Sequence, residues 1–156
     1  MANVLALDQS TTVTGYAIFI NQNLEKSEIF KPTGELFERI HKTKEYIKEL
    51  IQDNNIEYVF IEDIQYQRNQ KTYKILAGLQ YVIIDLLIEL NIQFEIIPPS
   101  KWKAWNQIGG RKREEQKRNT KKKVKEMFGR DFEEDEADAI CIGLYGLHVL
   151  KQNDVL

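Results

Sequence analysis

Cysteine is almost missing from this chain. Its 156 residues include one, Cys141, so no internal disulfide can form and a reducing compartment is expected. Apolar residues surround Cys141 and no histidine is near it in sequence, so it reads as a buried structural thiol rather than a nucleophile. Histidine is nearly as scarce. His41 and His148 are far apart and lack ligand spacing, which argues against a zinc centre. No apolar run approaches a membrane span; the one beginning at Tyr81 meets Asp85 after four residues. The N-terminal stretch has neither the basic flank nor the long apolar core of a secretory signal, so the cytoplasm is the expected location. No internal repeat is visible, and the only biased tract is a cluster of lysines.

What is present suits a soluble globular protein. Hydrophobic residues make up 42% and charged residues 29%, enough to build a core, and the length suits a single domain over residues 1–156. The net charge of −2 conceals an asymmetry. Between positions 101 and 130 there are twelve basic residues against three acidic ones, among them Lys101, Lys103, Arg111, Lys112, Arg113, Lys117, Arg118 and Lys121. The rest of the chain holds ten basic and twenty-one acidic residues. A solvated helix also produces charge runs. Here the charges are mostly of one sign and pairing one turn apart cannot neutralise them, so a polyanion met at one place is expected.

Residues 4–7, 15–20 and 26–30 read as three strands joined by short polar turns, one of them at Asn21-Gln22-Asn23. A helical pattern follows Gly34, with Leu36, Ile40, Ile47 and Ile51 in phase, and ends near 53–55. Residues 58–61 form a continuously apolar strand, the mark of a sheet covered on both faces. A polar loop and a long helix come next, with Ile75, Leu79, Val82, Leu86 and Leu90 on one face. Another strand, 94–97, closes at Pro98-Pro99. Helices are expected over 114–128, ended by Gly129, and over 134–150. In the first of these the apolar residues Val124, Met127 and Phe128 come late, so its first half should project into solvent or onto a ligand. A meander followed by a helical crossover makes a mixed five-stranded α/β sheet with helices on both faces.

Two of the apolar strands end on a carboxylate, Asp8 and Glu62. If these strands are parallel neighbours, both acids sit at one edge of the sheet. The last helix opens with Asp135 and Asp138, three apart and so on one face. Its apolar side, Ala137, Cys141 and Leu144, can dock on the sheet and bring the pair to Asp8 and Glu62. Singly, such acids are ordinary turn or helix-start caps. Together they would repel one another unless a cation were present. An all-oxygen set suits Mg²⁺ or Mn²⁺. A two-metal carboxylate centre activates water and stabilises the leaving oxygen in phosphodiester cleavage, and the basic segment would hold a nucleic-acid backbone beside it.

At these residues the chain resembles a known family. "LALDQSTTVTGYAIF" is similar to the first-strand signature of RuvC-type Holliday-junction resolvases, "YVFIEDI" to their second motif, and "DEADAICIGL" to their last. The ordered set covers nearly the whole chain. The resemblance implies a ribonuclease-H-like fold, a homodimer with two active sites, and Mg²⁺-dependent nicking of four-way DNA junctions. It carries catalytic and metal-binding roles onto Asp8, Glu62, Asp135 and Asp138. Asp8 would bridge two ions, Glu62 and Asp138 would complete their shells with Asp135 nearby, and hydrolysis would need no covalent intermediate. Short length and a composition rich in Lys, Ile and Asn look most like the bacteriophage branch, from phages of low-GC Gram-positive bacteria, acting in the host cytoplasm.

Two departures bear on substrate choice. Cellular members carry an aromatic residue three positions after the catalytic Glu, near the junction centre; here Gln65 stands there and Tyr66 follows as the candidate substitute. The added lysines imply more backbone contact and weaker base selection, so other branched DNA should also be cut. Lys103 fits the place of a family lysine that contacts DNA. Arg68 and Lys71, in the loop after Glu62, are candidates to reach phosphate, although an exposed loop is often basic for solubility. Trp102 and Trp105, three apart, suit core packing better than base stacking. Leu79, Val82 and Leu86 suit either a dimer interface or the sheet. Two rival readings are an actin-like ATPase, which lacks a second glycine-rich phosphate loop here, and a junction-binding protein without catalysis.

Overall fold

The computed structural model describes residues 2–65 and 68–156. Its elements run β1 (Val4–Asp8), β2 (Thr14–Ile20), β3 (Asn23–Phe30), α1 (Leu36–Asp53), β4 (Tyr58–Glu62), α2 (Gln70–Glu89), β5 (Gln93–Ile97), α3 (Pro99–Trp105), α4 (Arg113–Phe128) and α5 (Glu134–Gln152). The strands form one sheet in the order β3-β2-β1-β4-β5. β2 pairs antiparallel with both β1 and β3, while β4 pairs parallel with β1 and β5. The β2–β3 turn places Asn21 and Gln22 at φ 52° and 66°, the two positive values of a type I′ hairpin turn.

Strand alternation divides the core. Leu5, Leu7, Val59 and Ile61 face a cluster containing Ile47 and Ile51 of α1 and Leu79, Ile83 and Leu86 of α2. Val4, Ala6 and Phe60 face the opposite side, with Ala137, Ile140 and Cys141 of α5. Leu79 and Leu86 therefore pack on the sheet. Helix α5 comes very close to its own face: a Cβ on Gly143 would lie 2.2 Å from the Phe19 ring, and one on Gly146 2.3 Å from the Phe60 ring.

Three details differ from expectation. A short helix, α3, follows β5, because Pro99 is well suited to a first helical position. Met127 and Phe128 of α4 are exposed, and the helix buries Thr120 and Val124 instead. Of the two tryptophans expected in the core, only Trp102 is buried; Trp105 is exposed and stacks on His148 at 5.0 Å. Gly129 ends α4 in the left-handed region at φ 74°. Among the described residues, no helix is long and apolar enough to cross a membrane.

Candidate active site

The site lies where β1 and β4 end. Leu7 pairs with Ile61 in the parallel ladder, so the next residues, Asp8 and Glu62, leave the sheet side by side. Asp8 also pairs with Gly15 across the antiparallel ladder. That glycine admits α5: a Cβ on Gly15 would sit 2.0 Å from the Asp135 carbonyl oxygen. The helix start is held by Glu136, which is buried and accepts hydrogen bonds from the Glu133 backbone N–H at 3.0 Å and from Ser27 Oγ at 2.6 Å. Carboxylate oxygens of Asp8, Asp135 and Asp138 consequently lie within 4.8 Å of one another.

Glu62 adjoins this trio on the wall of a cleft of about 560 Å³. One of its oxygens, Oε2, accepts a hydrogen bond from Trp102 Nε1 at 2.7 Å. Its backbone carbonyl accepts from Gln9 Nε2 at 2.8 Å. The loop after Asp8 is stapled by Ser10, whose Oγ donates to the Val13 carbonyl at 2.7 Å and accepts from the Val13 N–H at 3.1 Å. Arg39 of α1 donates to the Thr11 carbonyl from outside. The small hydroxyl residues are thus a rigid shelf beside Asp8.

Electrostatics reflect crowding. Burial first, then the charges of Glu62, Asp138 and Asp135, hold the Asp8 carboxyl well above its ordinary value. Glu62 is also raised, by burial, against the lowering effect of the Trp102 bond. Asp138 is raised by burial, and Lys117 opposes that shift. Lys117 Nζ stands 3.3 Å from Asp138, 3.9 Å from Asp135 and 4.0 Å from Glu134. Burial pulls its own pKa down, but Asp138, Asp8 and Asp135 outweigh this and the net shift is upward. Cys141 lies next to this region but its thiol is pushed up to about 12 by burial, which makes it inert.

The basic residues divide by position. Lys103, Arg113 and Lys117 line the cleft, and Lys103 Nζ donates to Gln116 Oε1 at 3.1 Å. Lys101, Arg111, Lys112, Arg118 and Lys121 are exposed beyond it, as are Arg68 and Lys71 near the start of α2. Tyr66 lies outside the described residues. Sequence reasoning missed three contributors: Gln9, Gly15 and the Trp102 contact. The "TGY" triplet marked Gly15 as part of a motif, but nothing local announced what would press on it.

A mixed sheet with strand-end acids on its first and fourth strands, and a further pair on the last helix, is the ribonuclease-H-like fold of the RuvC type. Thermus thermophilus RuvC bound to a Holliday junction substrate is similar at TM-score 0.80 and 15% identity, over 99% of this chain and 98% of that one. The fowlpox virus resolvase in complex with Holliday junction DNA reaches 0.64 at 14% identity, over 95% and 98%. The yeast mitochondrial Holliday junction resolvase reaches 0.60 at 13%, over 99% and 82%. No curated protein matches the chain by sequence. Residues 1–148 match the family described as Lactococcus phage M3 protein, and the chain belongs to that family. A phage family is what the resemblance to the bacteriophage branch implied.

Proposed function

We propose that this protein is a metal-dependent, structure-selective endodeoxyribonuclease that nicks Holliday junctions and other branched DNA in recombination and repair, with residues 1–156 acting as one nuclease domain in the host cytoplasm. The observation that carries the reading is the aspartate trio, whose oxygens meet within 4.8 Å beside a basic helix. Burial, reinforced by the neighbouring acids, raises the Asp8 and Asp138 carboxyls, so the site is short of positive charge even with Lys117 present. Oxygen donors alone fit Mg²⁺, with Mn²⁺ as a substitute.

In this reading Asp8, Asp135 and Asp138 hold the cations, and Glu62 contributes its remaining oxygen. When bound, two divalent ions would supply a more acidic water and a counter-charge for the departing oxygen. The chain's own groups do the rest. Lys103, Arg113 and Lys117 receive the phosphate that enters the cleft, and the stapled 9–13 loop leaves room for its sugar-phosphate chain. Exposed Arg111, Lys112, Arg118 and Lys121, with Lys101 and Arg68, carry the flanking backbone, and Tyr66 is the aromatic offered to the junction centre. Phosphate contacts of this kind position DNA without reading bases, which favours branching over sequence as the selected feature.

A homodimer follows from the same reading, since symmetric nicks need two sites. The outer face of α2 offers Tyr81 and Ile88, which are 67% and 62% exposed. Labelled four-way junction and matching linear duplex, incubated with and without Mg²⁺, test the proposal. Symmetric nicks on the junction alone, only with Mg²⁺, are expected. Junction binding without nicks would leave a non-catalytic binding protein, and turnover of ATP without DNA would move the chain to the ATPase class.

A further inference from the structure

Trp102 is the largest side chain sealed completely inside the protein, and its one polar atom serves the cleft. α3 is pinned at its far end, where Asn106 Nδ2 donates to the carbonyls of Trp102 at 2.8 Å and of Cys141, on α5, at 3.0 Å. The indole is therefore fixed to the same helix that carries Asp135 and Asp138. From there Nε1–H reaches Glu62 Oε2 at 2.7 Å, a length typical of charge-assisted hydrogen bonds. A buried indole usually finds an acceptor, and a backbone carbonyl serves equally well for packing alone. Here the acceptor is Glu62, the strand-end carboxylate beside the close trio of aspartates. With the Glu62 carbonyl held by Gln9, both ends of the residue are tethered, and Oε2 is the oxygen the indole occupies.

We propose that Trp102 is a positioning residue for the metal centre: by holding Oε2 it makes Glu62 a one-oxygen ligand and sets how tightly the site binds a divalent cation. The proposal rests on the metal-dependent reading above. Donors behind a metal ligand orient it and tune its strength, and their loss typically weakens metal binding by about 10–100-fold.

Trp102→Phe keeps a buried aromatic ring and removes only the donor and part of the ring area. Mn²⁺ binding by calorimetry should weaken by about tenfold, with an equal rise in the Mn²⁺ concentration for half-maximal junction cleavage. Junction binding in EDTA should not change. In a Glu62→Gln background the same substitution should leave Mn²⁺ affinity where Glu62→Gln alone puts it. A Trp102→Phe protein that binds Mn²⁺ like the native chain, while only its Tm falls, overturns the proposal; so does equal weakening in both backgrounds. Should Trp102→Phe fail to fold, the native protein decides. Its Trp102 indole N–H resonance, identified against Trp105→Phe, must shift on saturation with Mg²⁺, and a stationary resonance overturns the idea. Native protein that neither binds Mn²⁺ nor cuts the junction removes the reading of the cleft itself.

Discussion

Helices α4 and α5 pack against each other, yet α5 is buried without a break from Glu136 to Gly143 whereas α4 buries only Thr120 and Val124. The buried helix carries two acids of the site, and the exposed one carries seven of the twelve basic residues between 101 and 130. Metal ligands must be placed to within a few tenths of an ångström, so they belong on an element locked by packing. Phosphate contacts act through longer-range charge and tolerate motion, so they can ride on an element facing water. Lys117 is where the two meet.

The contrast can be broken at four points. Asp8→Asn should lower junction cleavage at least about a hundredfold to a thousandfold, by removing the charge at the centre of the site, while junction affinity holds. In the absence of metal its Tm should rise, because a carboxyl raised by burial and by the neighbouring acids is replaced with a neutral amide. Cleavage near the native rate would remove Asp8 from the mechanism. Gly15→Ala should push the start of α5 away from β2, because its Cβ would meet the Asp135 backbone at 2.0 Å. A stability loss of about 1–3 kcal/mol is expected, together with weaker Mn²⁺ binding; an unaltered melting curve would show that α5 can give way there.

Acidity offers a gentler probe. Asp8, Glu62 and Asp138 all titrate above their ordinary values in the folded chain. Above the ordinary carboxylate range the folded state then holds more protons than the unfolded, so metal-free stability falls as pH climbs from about 4 through the raised values. In the proposed reading, Mg²⁺ removes that deficit. Its stabilising shift in Tm should be larger at pH 8 than at pH 5, and a shift independent of pH would contradict the crowded site. The smallest effect belongs to the exposed helix. Lys121→Ala or Lys122→Ala should change stability by no more than about 0.5 kcal/mol. Each should make the salt dependence of junction binding shallower by about one unit of slope.

Much of this arrangement could be read from residues. Asp8 and Glu62 betray themselves by ending apolar strands, and Asp135 and Asp138 by sharing a face of a helix whose other side is apolar. The strands, the hairpin turn and the Gly129 stop are local features that local chemistry dictates. Contacts made across the chain were not legible. Nothing near Trp102 says that its N–H will face Glu62, because α3 and β4 meet only in three dimensions. Lys117 and Lys121 are one turn apart and chemically alike, but one enters the cleft and the other faces water. With a first half that is polar all round, α4 carries no stripe to fix its rotation in advance. Met127 and Phe128 misled for the same reason: apolar residues at a helix end do not say whether the core extends that far.

The parallel pairing of β1 with β4, and the seat of α5 across β1 and β2, have a consequence in time. Asp8 lies on β1, well ahead of Asp138 on α5 in the order of synthesis. Until α5 has emerged from the ribosome, the sheet edge lacks Asp135 and Asp138. Contacts this distant in sequence form late. In the proposed reading, a nascent chain cannot cut the DNA of the cell that is making it, and the fold itself delays the nuclease until synthesis has passed α5.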